Sequence, residues 1–178
     1  VDSARDVGSA RYVGSARCAS CHPREHASWS GSDHAHAMQP ATREHVRGDF
    51  ADAALHAAGV TTRFFERDGK FYVATDDASG ATQEFELAYT FGRDPLQQYL
   101  IAFPRGILQA LGIAWDTRPR ERGGERWYHL YAAAPPPPGD PLHWTGREQR
   151  WNHQCAECHA TDLAKRYDPA NDAYDTRW

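Results

Sequence analysis

A chain of 178 residues suits one domain and is long enough to bury roughly 70% of the surface its unfolded form exposes, so it does not need disulfides to fold. The net charge of −4, with Lys and Arg spread thinly, argues against a nucleic-acid or anionic-membrane partner. No run is long and apolar enough to span a bilayer as a helix, and no signal peptide is legible, so the first residues read as a mature or trimmed end.

In chain order, residues 1–17 carry SAR three times with a period of six, at Ser3, Ser9 and Ser15. This reads as a small-residue leader with little order of its own, the alternative being a strap over a neighbouring surface. From Cys18 to His45 the pattern turns helical. Pro23 sits at a first helical turn, SGSD ends that piece, and Ser32 or Asp33 can cap a second helix beginning near His34. DFADAALHAAG then reads as a short helix closed by Gly59.

Residues 61–131 change character. TTRFFERDGKFYVAT holds two β-rich runs around Asp68-Gly69, a strong hairpin signal. ATQEFELAYTF follows the DASG turn, QQYLIAF and ILQALGIAW flank PRG as another hairpin, and RWYHLY is a sixth strand. APPPPGDP is a stiff polyproline linker. GREQRWNHQCAECH resumes a helical pattern. The predicted fold is α+β: helical segments at 18–60 and 132–178 flank a central antiparallel β meander over 61–131, all within one unit, 18–178.

The four cysteines lie in two pentapeptides, CASCH from Cys18 to His22 and CAECH from Cys155 to His159. Two C-x-x-C knuckles could hold zinc, and a single one could be a thioredoxin-like redox pair. Neither explains a histidine after the second cysteine in both places. Covalent haem attachment of the c type does: the thiols add to the porphyrin vinyl groups and the histidine lies beneath the iron. The expectation is two covalently bound haem c groups, held by Cys18, Cys21, Cys155 and Cys158, with His22 and His159 as proximal iron ligands. The ten histidines leave candidates for the second axial position. The porphyrins are expected to form much of the apolar core. Attachment of this kind implies a periplasmic or extracellular location.

Further motifs carry a resemblance. YVGSARCASCH followed by WSGSDHAHAMQPAT, then YTFGRDPLQQYL, PRGILQALGIAWDTRP, RWYHLY, DPLHWTG and WNHQCAECHATDLAKRYD, resemble the bacterial multihaem cytochrome c family often fused to tetratricopeptide repeats. The resemblance covers about residues 12–178 and corresponds to an N-terminal two-haem portion. In that family the chain usually runs on into a further C-x-x-C-H. His153 and Gln154 stand where the family tends to have an aromatic and a methionine.

The family motif places a histidine at His34, which the resemblance makes the first distal ligand candidate; Met38, one helical turn on, is the rival. For the other haem the resemblance points to His143 in LHWTG, with His129 in WYHLY as second choice. His26, His45, His56 and His153 read as surface residues. Two bis-histidine irons would make the chain an electron-transfer protein with no substrate turnover, passing electrons to other redox proteins, to further haem subunits or to a C-terminal continuation. One alternative is a haem enzyme with a five-coordinate iron acting on nitrite, hydroxylamine or peroxide, served by His129, Arg105 and Arg118. Another is a structural haem module of a larger redox complex or filament.

Overall fold

The computed structural model describes residues 12–178, so Ser3 and Ser9 of the SAR repeat lie outside the described residues. The only helix of two turns or more among them is α1 (Pro23–Ser30). Strands β1 (Met38–Pro40), β2 (Ala53–Ala57), β3 (Val60–Arg67), β4 (Lys70–Asp76), β5 (Thr82–Phe91), β6 (Leu96–Phe103), β7 (Ile107–Ala110), β8 (Ile113–Asp116) and β9 (Arg126–His129) follow. A four-residue helix α2 (Ala156–His159) and a small hairpin, β10 (Tyr167–Asp168) with β11 (Ala173–Tyr174), complete the chain.

The protein is therefore mostly β, not an α+β arrangement of helices flanking a meander. Strands β2-β3-β4-β5-β6-β8-β9 form one antiparallel sheet, with β1 added beside β5 and β7 beside β6. Its first and last strands, β2 and β9, come back alongside each other, so the sheet nearly closes into a barrel.

The local chemistry of the central strands is that of hairpins. Asp68 and Gly69 both take positive φ, 53° and 76°, as a two-residue turn between right-twisted strands requires. Alternate residues then point inward: Thr62 and Phe64 on β3, Phe71, Val73 and Thr75 on β4. The barrel interior is aromatic. Phe64 stacks on Trp127 at 3.6 Å between ring centroids, and Phe50 meets Phe64, Phe71, Tyr99 and Trp127 edge-on. These rings form an apolar core from the polypeptide's own side chains.

The segment read as a short helix over DFADAALHAAG is strand β2, which pairs with β3 from Ala53↔Phe64 to Ala57↔Val60. Its alanines favour helix locally, but cross-strand pairing overrides a weak propensity. The two-residue turn Ala58-Gly59, with φ of 48° and 82°, sets the register. The helix expected from His34 is likewise replaced by turns that lead into β1, where Met38 lies opposite Phe91.

Strands β7 and β8 are buried throughout. The second face of β7 is covered by the C-terminal segment, giving an outer cluster of Phe91, Leu100, Leu108, Ala110, Trp151 and Ala156. Covering explains why GREQRWNHQCAECH is not one helix. Its backbone is committed to β7: the Trp151 N–H donates to the Leu108 carbonyl at 2.8 Å, and Asn152 Oδ1 accepts the Leu108 N–H at 2.7 Å.

Candidate haem-attachment turns

The two pentapeptides fold alike. In the first, the amides of Cys21 and His22 donate to the Cys18 carbonyl at 3.2 and 2.8 Å. In the second, those of Cys158 and His159 donate to the Cys155 carbonyl, both at 3.2 Å. One helical turn thus brings each pair of thiols to a common side, with the histidine on the next residue. The four thiols are free. The same turn built twice, 137 positions apart in unrelated surroundings, is the geometry that a two-point thioether attachment needs.

The surroundings differ. The first turn opens on α1, with His22 at its N-cap and Pro23 at its first position, and neither α1 nor the preceding turn buries a residue. Tyr12, Val13 and Trp29 are exposed there. The second turn is docked. Ala156 is fully buried, and Cys155 packs on the outer cluster, where burial pushes its thiol pKa up. The His159 ring meets Phe91 edge-on at 4.6 Å, on the same cluster that takes Met38. Trp151 is fully buried beside Cys155, and its indole N–H has no hydrogen-bond partner among the described residues. Two free thiols on one turn with an imidazole on the next residue are the donor set that fits a porphyrin with two vinyl groups at Cys155 and Cys158. The exposed apolar side chains Tyr12, Val13 and Trp29 near the first turn suit the flat apolar face of the same kind of group. Zinc fits less well: among the described residues no three His, Cys, Asp or Glu side chains are grouped to hold a metal ion.

The distal candidates lie in three settings. His34 is exposed on the turn between α1 and β1, and its ring has no hydrogen-bond partner among the described residues. His36, two residues on, donates from Nδ1 to the Ser32 carbonyl at 2.9 Å, which leaves Nε2 as its free nitrogen. A ring held at Nδ1 with Nε2 open suits an iron-ligating imidazole, whereas the family motif favours His34 over His36. His143 is buried with both ring nitrogens engaged, Nδ1 by Thr145 Oγ1 at 2.7 Å and Nε2 by Asp76 Oδ2 at 3.0 Å. The expectation of an open distal histidine there meets a side chain that must first leave Asp76. His129 is half-buried, and desolvation holds its pKa below the usual value.

The residues suggested for an enzyme do not converge. Arg118 is spent on Asp116, with contacts at 2.9 and 2.6 Å that hold the Asp116 carboxyl at about 2. It follows one end of the β8–β9 ladder, whereas His129 pairs with Ile113 at the other end. Arg105 binds the Asn171 carbonyl on the far side of the β6–β7 turn.

No curated protein and no solved structure matches the chain. Residues 17–64, less than half of the chain, match the sequence model of the family described as cytochrome c554 and c-prime. The matched stretch contains the first C-x-x-C-H turn, α1, His34, His36 and Met38, and the match supports a c-type cytochrome with covalently attached haem working in electron transfer.

Proposed function

We propose that the chain is a dihaem c-type cytochrome that passes electrons between redox partners outside the cytoplasm. The observation that carries this reading is the repetition of one turn: free thiols at Cys18 and Cys21, and at Cys155 and Cys158, each pair followed by a histidine. A haem c group supplies a one-electron iron couple. The residues of the chain hold and tune it. His22 and His159 are the proximal ligands. The outer cluster excludes water from one side of the second site. The exposed first site leaves an edge open to a partner, as small transient electron-transfer contacts require. In this reading the partners are other redox proteins, further haem subunits or a longer form of the same chain.

For the distal side we place His34 first, because its ring is unencumbered. His36 is the second reading, motivated by its Nδ1 contact to Ser32. His143 is assigned a holding role through Asp76 rather than an axial one. The test is spectroscopic. A pyridine haemochrome assay should give two equivalents of haem c per chain that denaturation does not release; one equivalent, or zinc, overturns the proposal. His34→Ala should convert part of the low-spin spectrum to high spin and admit carbon monoxide on reduction. If only His36→Ala does so, the second reading replaces the first. Stoichiometric carbon monoxide binding by the unmodified protein would favour the enzyme.

A further inference from the structure

A cavity of about 160 Å³ lies between the barrel and the polyproline strap Pro135–Pro138, and none of its lining residues belongs to either C-x-x-C-H turn. Its walls are mainly apolar, with Val60, Leu111, Ile113, Leu142 and Trp144 among them. Polar side chains also enter the lining, His129, His143 and Asp76 among them.

Their hydrogen bonds fix what each can offer. The Tyr131 N–H donates to His129 Nδ1 at 3.0 Å, so the neutral ring carries its proton on Nε2. Burial favours that neutral form. Nε2–H has no hydrogen-bond partner among the described residues. Its ring lies beside Gly112, where an added Cβ would stand 3.7 Å from Cε1 and Nε2. The Thr145 N–H donates to His143 Nδ1 at 3.3 Å, which turns the His143 proton towards Asp76. Asp76 also accepts from Thr75 Oγ1 at 3.1 Å, and Thr75 bonds Thr62 at 2.8 Å. Thr62 and Thr75 line the same cavity, so the polar network is fully supported from below.

We propose that this cavity is a binding site for a neutral single-ring molecule carrying a hydroxyl or carbonyl oxygen. The size suits it, since an apolar cavity of about 150 Å³ accepts a benzene-sized guest. Apolar walls favour the ring, His129 Nε2–H donates to the oxygen, and the remaining lone pairs of Asp76 can accept from a hydroxyl. An anion is disfavoured because the acidic group in the wall, Asp76, would face it across otherwise mainly apolar walls. The site is independent of the electron-carrier reading.

The probes are phenol, toluene and benzoate, titrated into the haem-loaded protein by calorimetry or amide NMR shifts. Phenol should bind saturably at one site, shifting Gly112, His129 and Tyr131, and benzoate should bind at least tenfold more weakly. His129→Leu should weaken phenol by up to about tenfold while leaving toluene within about twofold. Gly112→Val should abolish binding of both rings, because Gly112 has no positive φ and a Cβ there meets only ordinary contacts before its methyls enter the cavity. If phenol fails to saturate at its solubility limit, or binds equally well to both variants, the site is not there. If Gly112→Val does not fold, the contrast between phenol and toluene on His129→Leu still decides. If His129→Leu instead opens an iron to carbon monoxide, the histidine is an axial ligand and the cavity proposal falls.

Discussion

The two C-x-x-C-H turns share a backbone and differ in what stands behind them. The first projects from an α1 segment with no buried residue; the second is laid on the barrel's outer face with Trp151 and Ala156 as its footing. A haem-binding motif therefore specifies its own local turn but not its support. Support comes from whichever strand face is left apolar, here β7 and the neighbouring part of β6.

Three experiments break or sharpen that contrast, the largest effect first. Trp151→Ala should cost about 3–5 kcal/mol in urea unfolding, because a fully buried indole leaves a cavity between β7 and the C-terminal segment. Trp151→Phe should recover most of it, and no loss on truncation would mean the second turn is not anchored there. Next come the cysteine pairs. Cys155→Ala with Cys158→Ala should remove one haem and lower Tm by about 5 °C or more, whereas Cys18→Ala with Cys21→Ala should remove the other and leave Tm within about 2 °C. Equal shifts would erase the distinction between docked and exposed sites. The smallest effect concerns acid. Arg150 grips Asp172 at 2.6 and 2.9 Å, tying the β10–β11 hairpin to the second site and holding that carboxyl at about 2. A folded pKa below the unfolded value of about 4 gives stability that is present above pH ~4 and lost as pH falls towards ~2. Asp172→Asn should flatten that part of the urea midpoint profile; an unchanged slope would assign the acid sensitivity to other carboxylates such as Asp116.

Much of the β structure was legible in the sequence because its signals are local. Asp68-Gly69 between alternating strands needs only its neighbours to be read, and so does PRG between β6 and β7. What was not legible depends on distant partners. Ala53–Ala57 looks helical until Val60–Phe64 is seen beside it. Residues 147–155 look helical until Leu108 claims the backbone of Trp151 and the side chain of Asn152. In the candidate site, the two C-x-x-C-H turns were readable by spacing alone. The state of each remaining histidine was not, since it depends on single contacts such as Ser32 with His36 and Asp76 with His143.

The exposed first segment is nonetheless hitched to the barrel. Gln97 Nε2 donates to the His45 carbonyl at 3.0 Å and its Oε1 accepts the Arg47 N–H at 2.8 Å, while the Gly48 N–H reaches Tyr99 Oη at 3.0 Å. A Cβ at Gly48 would come within 2.6 Å of Trp127, so only glycine lets the chain cross there. The residues that hold positions 45–48 are thus on β6, about fifty positions away and inside the barrel. A side chain added at Gly48 would meet both Trp127 and Tyr99, so the spacing between positions 45–48 and the barrel is set from inside it.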